Sequence, residues 1–390
     1  MHNLRQWWKR TVGTPARGRI LIVDHRTPTP DHDSGSASVF SYLQLLSRAG
    51  FDLTFAPFDL ADAGEYTRAL NRLGIKTLSA PQWPTMRAVI STLARRMDLL
   101  LLYRAPIATQ LFDVARSAAP ATRILFHPVD LHFLRLQREA EISGDAAQAA
   151  AAAAVRTMEL DLVARADATI VVSQFERDLL RELLPAAPVH QIPILREAPS
   201  QPPRSAPHQF NERDILFIGG FEHLPNVDGI RWFVQETWPM LQERKSTRRL
   251  IIGGSKMPDA VTSMASDTVD VRGYVRDLAQ LFASCWISVA PLRYGAGIKG
   301  KIVTSLSYGV PVVATSIAAE GTGLRHDEDI LIADSPAAMA DAIMRLDADD
   351  DLWRRLSANG YRSFQERFSL AVGAPKVLAV VDKLVAMTRR

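Results

Sequence analysis

Residues 286–323 read WISVAPLRYGAGIKGKIVTSLSYGVPVVATSIAAEGTG. The apolar run Trp286 to Leu292 reads as a buried strand. A loop with Gly295, Gly297 and Gly300 follows, carrying Lys299 and Lys301. A helical run from about Lys299 to Tyr308 is ended by Gly309 and Pro311, and a second strand is expected over Pro311 to Thr315. Strand, glycine loop, helix and strand in that order build an anion site in a parallel αβ sheet. Glycines let the backbone approach the ligand, and the first N–H groups of the helix point at negative charge. Gly297, Lys299, Gly300 and Lys301 are therefore the expected phosphate contacts. Gly295 to Lys301 also matches the first seven positions of a Walker A loop, but the eighth is Ile302 where Ser or Thr should hold Mg²⁺. No Walker B strand is visible, so an NTPase is set aside. A plain surface loop is the other alternative.

Working outward, the chain has 390 residues, enough for two domains. An apolar fraction of 47% with 23% charged residues is that of a globular protein, and a net charge of +4 does not make it a nucleic-acid binder. The single cysteine, Cys285, permits neither an intrachain disulfide nor a thiol metal site, which suits a reducing compartment. No stretch is long and apolar enough for a membrane span, and the N-terminus lacks a signal-peptide core. The expected location is cytoplasmic.

Residues 1–18 hold Arg5, Trp7, Trp8, Lys9, Arg10 and Arg17 and no acid. They read either as a basic segment lying on an anionic membrane, peripheral to the inner face of the plasma membrane, or as a frayed tail. Residues 19–195 then alternate strand and helix. Strands are expected at Arg19–Asp24, Asp52–Ala56, Asp98–Tyr103, Thr122–Phe126 and Ala168–Val172, with a weaker one at Ile75–Leu78. Such sheets bind ligands beyond the carboxyl ends of their strands. The loop after the first strand, HRTPTPDHDSGSAS, opens a helix with Ser34 or Ser36 as cap, a second N-terminus able to meet an anion. Its Asp31-His32-Asp33 reads as loop polarity. The loop FHPVDLHFLRLQREAE places His127, Asp130 and His132 at a strand end; the pattern predicts a histidine working near neutral pH and oriented by a carboxylate. His127 and Asp130 are the candidate catalytic pair. Residues 196–213 are proline-rich and read as a linker, and 214–370 form a second αβ domain. Its elements include one helix over Val227–Gln242, and a long amphipathic helix closes the chain near Ala371–Met387.

With ILFIGGFEHLPNVDGIRWF, VRGYVRDLAQLFA, the stretch quoted first and DDDLWRRLSANG in view, the second domain resembles the group 1 (family 4) glycosyltransferases. DSGS and VDLHFLRLQREAEISGD resemble a subset active in bacterial surface-polysaccharide assembly. The resemblance implies an α/β fold of two facing Rossmann-like domains, the B-type glycosyltransferase architecture, with residues 371–390 crossing back to the first. It implies retaining transfer of a sugar from a nucleotide-sugar donor to a glycan or lipid-linked acceptor, with no metal or other cofactor. Gly35 and Lys299 fall where the family meets the diphosphate; Gly273, Tyr274 and Val275 where it meets the base; His127 near its sugar-contacting histidine. Two glutamates eight positions apart in many members are here Ala296 and Thr304, and Thr304 is expected to keep a weaker ribose contact. The usual Arg and Lys are missing from GGFEHLPN. Those losses leave two alternatives open, a non-catalytic sugar-nucleotide binding protein and a nucleotide-sugar epimerase.

Overall fold

The computed structural model describes residues 17–199, 213–244 and 248–389. Most of the basic N-terminal segment and most of the proline-rich linker thus lie outside the described residues. Strands in parallel sheets are covered on both faces and read as continuous apolar runs; Leu99–Tyr103, LLLLY, is buried at every position. Seven such strands form the first sheet: β1 Arg19–Asp24, β2 Asp52–Pro57, β3 Lys76–Thr77, β4 Leu99–Tyr103, β5 Arg123–His127, β6 Ala168–Val171 and β7 Val189–Gln191. All pairs are parallel, in the order β3-β2-β1-β4-β5-β6-β7. The expected Ile75–Leu78 strand shrinks to two residues, and β7 has no counterpart among the expected strands. Three residues behind Pro188 are too few to show a period.

The helices on this sheet are α1 Ser34–Arg48, α2 Glu65–Arg72, α3 Met86–Leu93, α4 Ala105–Ala118, α5 His132–Ser143, α6 Ala146–Arg165 and α7 Gln174–Leu183. Local chemistry starts them. Ser173 and Glu176 form a reciprocal capping box on α7. The cap of α1 is Asp33 rather than Ser34 or Ser36: its carboxylate accepts from Ser36 N at 2.8 Å and Ser36 Oγ at 2.7 Å, and Ser34 is already helical.

The second sheet runs β10-β9-β8-β11-β12-β13, again all parallel. Its strands are β8 Asp214–Ile218, β9 Leu250–Gly253, β10 Val269–Gly273, β11 Cys285–Ala290, β12 Val312–Ala314 and β13 Leu331–Ile332. Its main helices are α8 Leu224–Trp232, α9 Trp238–Glu243, α10 Leu278–Ser284, α11 Gly300–Ser307, α12 Pro336–Ala348 and α13 Asp350–Arg367. The single helix expected over 227–242 is broken by a π-helical turn at Phe233–Thr237. Pro239 has no N–H to offer and its ring crowds the carbonyl four residues back, which widens the turn before it. Trp353 of α13 stacks on Trp286 at 4.4 Å and donates its indole N–H to the Trp286 carbonyl at 2.8 Å, closing this core.

The last helix, α14 Leu370–Thr388, leaves the second domain and buries Val377, Val380, Val381, Leu384 and Val385 in the first domain's core. Arg17 pairs with Asp382 and Arg389 with Asp98, pinning it there. No helix among the described residues is long and apolar enough to cross a membrane.

Candidate functional site

The carboxyl ends of the two sheets face each other across a cavity of about 570 Å³. Two helix N-termini converge on it. Gly300 opens α11 so close to α1 that a Cβ there would lie 1.8 Å from Ser34 Oγ. Only glycine permits that approach. Lys299, the residue capping α11, gives it no side-chain hydrogen bond, so the first N–H groups of that helix remain available to a ligand. Gly297 has φ of +64°, and its neighbours Val172 and Asp130 belong to the first domain.

The two lysines of the loop are placed differently. Lys299 is buried and folds back on its own loop, donating Nζ to the Gly297 carbonyl at 2.7 Å and the Ala296 carbonyl at 3.1 Å. Burial lowers its pKa to about 8, against the pull of Glu320 and Glu176. Lys301 donates to Asn226 Oδ1 at 2.7 Å and lies 3.8 Å from the centre of the Phe217 ring. Burial and then Lys299 push it well below the usual lysine range. Neither lysine meets a carboxylate at ion-pair distance among the described residues.

In the first domain, Asp24, Tyr103 and His127 end β1, β4 and β5 and lie side by side in register. His127 is 2% exposed, stacks on Tyr103 at 4.9 Å and meets Tyr42 edge-on at 5.5 Å. Val129 takes φ of +77°, a strained value for a β-branched residue. That turn lets its N–H donate to His127 Nδ1 at 3.0 Å. With Nδ1 accepting, the proton of the neutral ring sits on Nε2, which is buried and has no partner among the described residues, in a residue that lines the cavity. Burial, and then the charge of Arg104, lower the His127 pKa to about 3. This corrects the expectation of a near-neutral histidine oriented by Asp130. His127 is held as a neutral N–H donor. Asp130 turns the other way, to His132 Nε2 at 3.2 Å and Arg135 Nε at 3.4 Å. Burial would raise Asp130, but His132 and Arg135 outweigh it and hold the carboxyl far below its usual range. Nor does Asp130 cap α5; Glu159 does, accepting from His132 N at 3.1 Å and Phe133 N at 2.9 Å.

Of the remaining expected contacts, Gly35 lies under Arg104, whose Nη2 would be 3.0 Å from a Cβ there. Tyr274, Val275 and Thr304 border the cavity, whereas Gly273 stands just outside its wall. The Tyr274 ring is 41% exposed and stacks on His32 at 4.4 Å, while its hydroxyl bonds Asp31. Thr304 accepts Ser307 Oγ on its carbonyl at 2.7 Å, and its hydroxyl has no partner among the described residues.

Several wall residues gave no signal in the sequence. Asn226 stands in the first turn of α8 and His223 just before it, and burial lowers the His223 pKa to about 4. Arg104, with φ of +63°, is clamped by Asp24 at 2.7 Å. Arg196 stands on the crossover after β7. Outside the wall, Arg138 bridges the domains, pairing with Glu320 through both nitrogens at 2.8 Å and donating to the Gly295 carbonyl at 2.6 Å. Their partners are distant in sequence, so no local pattern announces them.

Comparison with known proteins agrees with this fold. The family described as Glycosyl transferases group 1 matches residues 212–349. Among solved structures, sucrose-phosphate synthase of Thermosynechococcus elongatus superposes with a TM-score of 0.71 at 17% identity, over 94% of this chain and 99% of its own. HepE of Anabaena, solved with UDP and glucose, gives 0.70 at 14% identity over 94% and 100%. TarM gives 0.72 at 10% identity over 96% and 99%. At these identities the likeness speaks for the fold. A protein of the cps region of Klebsiella pneumoniae is 24% identical over 184 residues, 44% of this chain and 47% of that relative, so the match spans about half its length. Residues 212–349 thus resemble the group 1 glycosyl transferases, and the chain that carries them has the two-sheet B-type glycosyltransferase fold.

Proposed function

We propose that the protein transfers a sugar, with retention, from a nucleotide-sugar donor lying against the second domain to a glycan or lipid-linked acceptor lying against the first. The observation that carries this reading is the pair of buried lysines, Lys299 and Lys301, without carboxylate partners at ion-pair distance among the described residues, beside the bare N-terminus of α11 in the interdomain cavity. When a sugar leaves a nucleoside diphosphate, negative charge builds on the departing oxygens. Fixed donors and ammonium groups stabilise that charge more in the transition state than in the ground state. No metal is needed in this scheme, because lysines and helix N–H groups neutralise the diphosphate. His127 Nε2–H supplies a neutral hydrogen bond to the sugar. Asp130, already held by His132 and Arg135, acts by keeping the strand-end loop in place rather than by taking a proton.

Surface-polysaccharide synthesis is the favoured setting, supported by the cps-region relative. UDP is the first nucleotide to try, since HepE was solved with it. The test is a thermal-shift screen of nucleoside diphosphates followed by turnover of the matching sugar nucleotide. Diphosphate release that rises when a glycan acceptor is added supports transfer. Binding without release would identify a sugar-nucleotide binding protein, and conversion of the donor sugar without acceptor an epimerase. Flotation with anionic liposomes, with and without residues 1–17, tests peripheral membrane contact.

A further inference from the structure

The arginines around the cavity divide into two kinds. Arg26 and Arg104, which line it, each meet a carboxylate, Glu222 and Asp24. Arg196 meets none among the described residues. Its Nη1 donates to the Leu195 carbonyl at 2.9 Å, and its Nη2 to the Ser34 carbonyl at 3.0 Å and Ser34 Oγ at 2.6 Å. All three acceptors are neutral. Burial lowers its pKa only to about 10, against the pull of Asp33, so the guanidinium is charged at neutral pH.

Arg196 stands on the crossover from the first domain to the second, where its backbone bridges the start of α14. Its Nη2 lies 3.2 Å from where a Cβ on Gly300 would be. The guanidinium is thus wedged between the first turn of α1 and the first turn of α11. Lys299 and Lys301, also without ion-pair carboxylates, share its cavity. A partly desolvated cation without an anion is costly, and Lys299, charged below about pH 8, repels Arg196 across the same cavity. An arginine serving only as a brace between backbone carbonyls gains nothing from such company. A bound polyanion offsets that cost and favours the charged form of both lysines, and the planar fork of a guanidinium matches phosphate oxygens.

We propose that Arg196 is a direct ligand of the donor's diphosphate, supplied by the crossover segment, and that it makes the cavity select nucleoside diphosphates over nucleoside monophosphates. This rests on the nucleotide-sugar reading of the cavity. The same residue stands between α1 and α11, so the diphosphate would be held where the two domains meet.

Calorimetry with UDP, UMP and inorganic pyrophosphate on the parent, Arg196→Gln and Arg196→Lys tests it. Loss of one charged, bidentate contact should weaken UDP and pyrophosphate binding by about tenfold or more in Arg196→Gln, and UMP binding by less than about threefold. Arg196→Lys should recover part of the loss, since it keeps charge without the fork. Equal loss for UDP and UMP would show a structural brace and overturn the proposal, as would undiminished UDP binding. If Arg196→Gln does not fold, Arg196→Lys decides alone by the same ratio of UDP to UMP affinity. If the parent binds pyrophosphate but no nucleoside diphosphate of any base, the nucleotide-sugar reading fails while the pyrophosphate arm still judges Arg196. If the parent binds neither, both fall.

Discussion

His127 offers a sharp test of the site's electrostatics. Its pKa is lowered from 6.5 to about 3 by burial and by Arg104. Between those two pH values the unfolded chain binds a proton that the folded one refuses. Stability therefore falls as pH drops through this window and is fully present above pH 6.5. From pH 8 to pH 5 the difference amounts to about 1.5 protonation decades, or roughly 2 kcal/mol. In His127→Asn the amide oxygen can still accept the Val129 N–H, but nothing titrates. The variant should be less stable at pH 8 by roughly 1–3 kcal/mol, because it leaves part of the space beside Tyr42 and Tyr103 unfilled. Its further loss on going to pH 5 should be about 2 kcal/mol smaller than the parent's. Other buried groups titrate over the same range: His223 is lowered to about 4, and Glu159 and Glu176 are raised to about 7. They act in both proteins and cancel in the double difference. Urea denaturation of both proteins at both pH values measures it, and long-range proton–nitrogen NMR of the ring reads the tautomer directly. An identical pH 8 to pH 5 loss in the two proteins, or an imidazolium signal at pH 6, would refute the reading of His127 as a neutral Nε2–H donor.

Three further outcomes rest on the same geometry. Lys299 loses its charge near pH 8 in the free protein, and a diphosphate favours the charged form, so nucleoside diphosphate affinity should decline as pH rises from 7.5 to 9.5; Lys299→Ala should abolish that slope and weaken binding by about 1.5–3 kcal/mol. A pH-independent affinity in the parent would count against the contact. Thr304→Val should weaken ribonucleotide binding by about 0.5–1.5 kcal/mol, with a smaller loss for the deoxy analogue that lacks the hydroxyl Thr304 meets; equal losses for the ribo, 2′-deoxy and 3′-deoxy forms would remove Thr304 from the ribose site. Glu320→Gln breaks the charge pairing with Arg138 across the domains and should raise the donor KM with an expanded free protein in small-angle scattering, at a cost of roughly 1–3 kcal/mol of interdomain closure; unchanged scattering and KM would show that the pair does not hold the domains together.

The features of this protein that depend on near neighbours in the chain are legible in its sequence. Apolar runs alternating with helical patterns mean two parallel sheets, because both faces of each strand are covered. The loop GAGIKGK reads as an anion-binding loop, because glycine backbone, a lysine and a helix start lie within a few residues of one another. The long last helix shows its amphipathic face, though the core receiving it belongs to strands that begin with Arg19. Legibility fails where direction or distance decides. His127 and Asp130 look like a pair at three positions' separation, yet the turn at Val129 sends their side chains to different partners. Lys299 reads as a free ammonium but is drawn back by the carbonyls of its own loop. Arg196 reads as a linker residue, and only folding brings Ser34 and Gly300 beside it. Sequence pattern determines elements because their hydrogen bonds and faces repeat locally; the charge balance of the cavity was decided by tertiary structure alone, because each counter-charge, or its absence, comes from another strand's end.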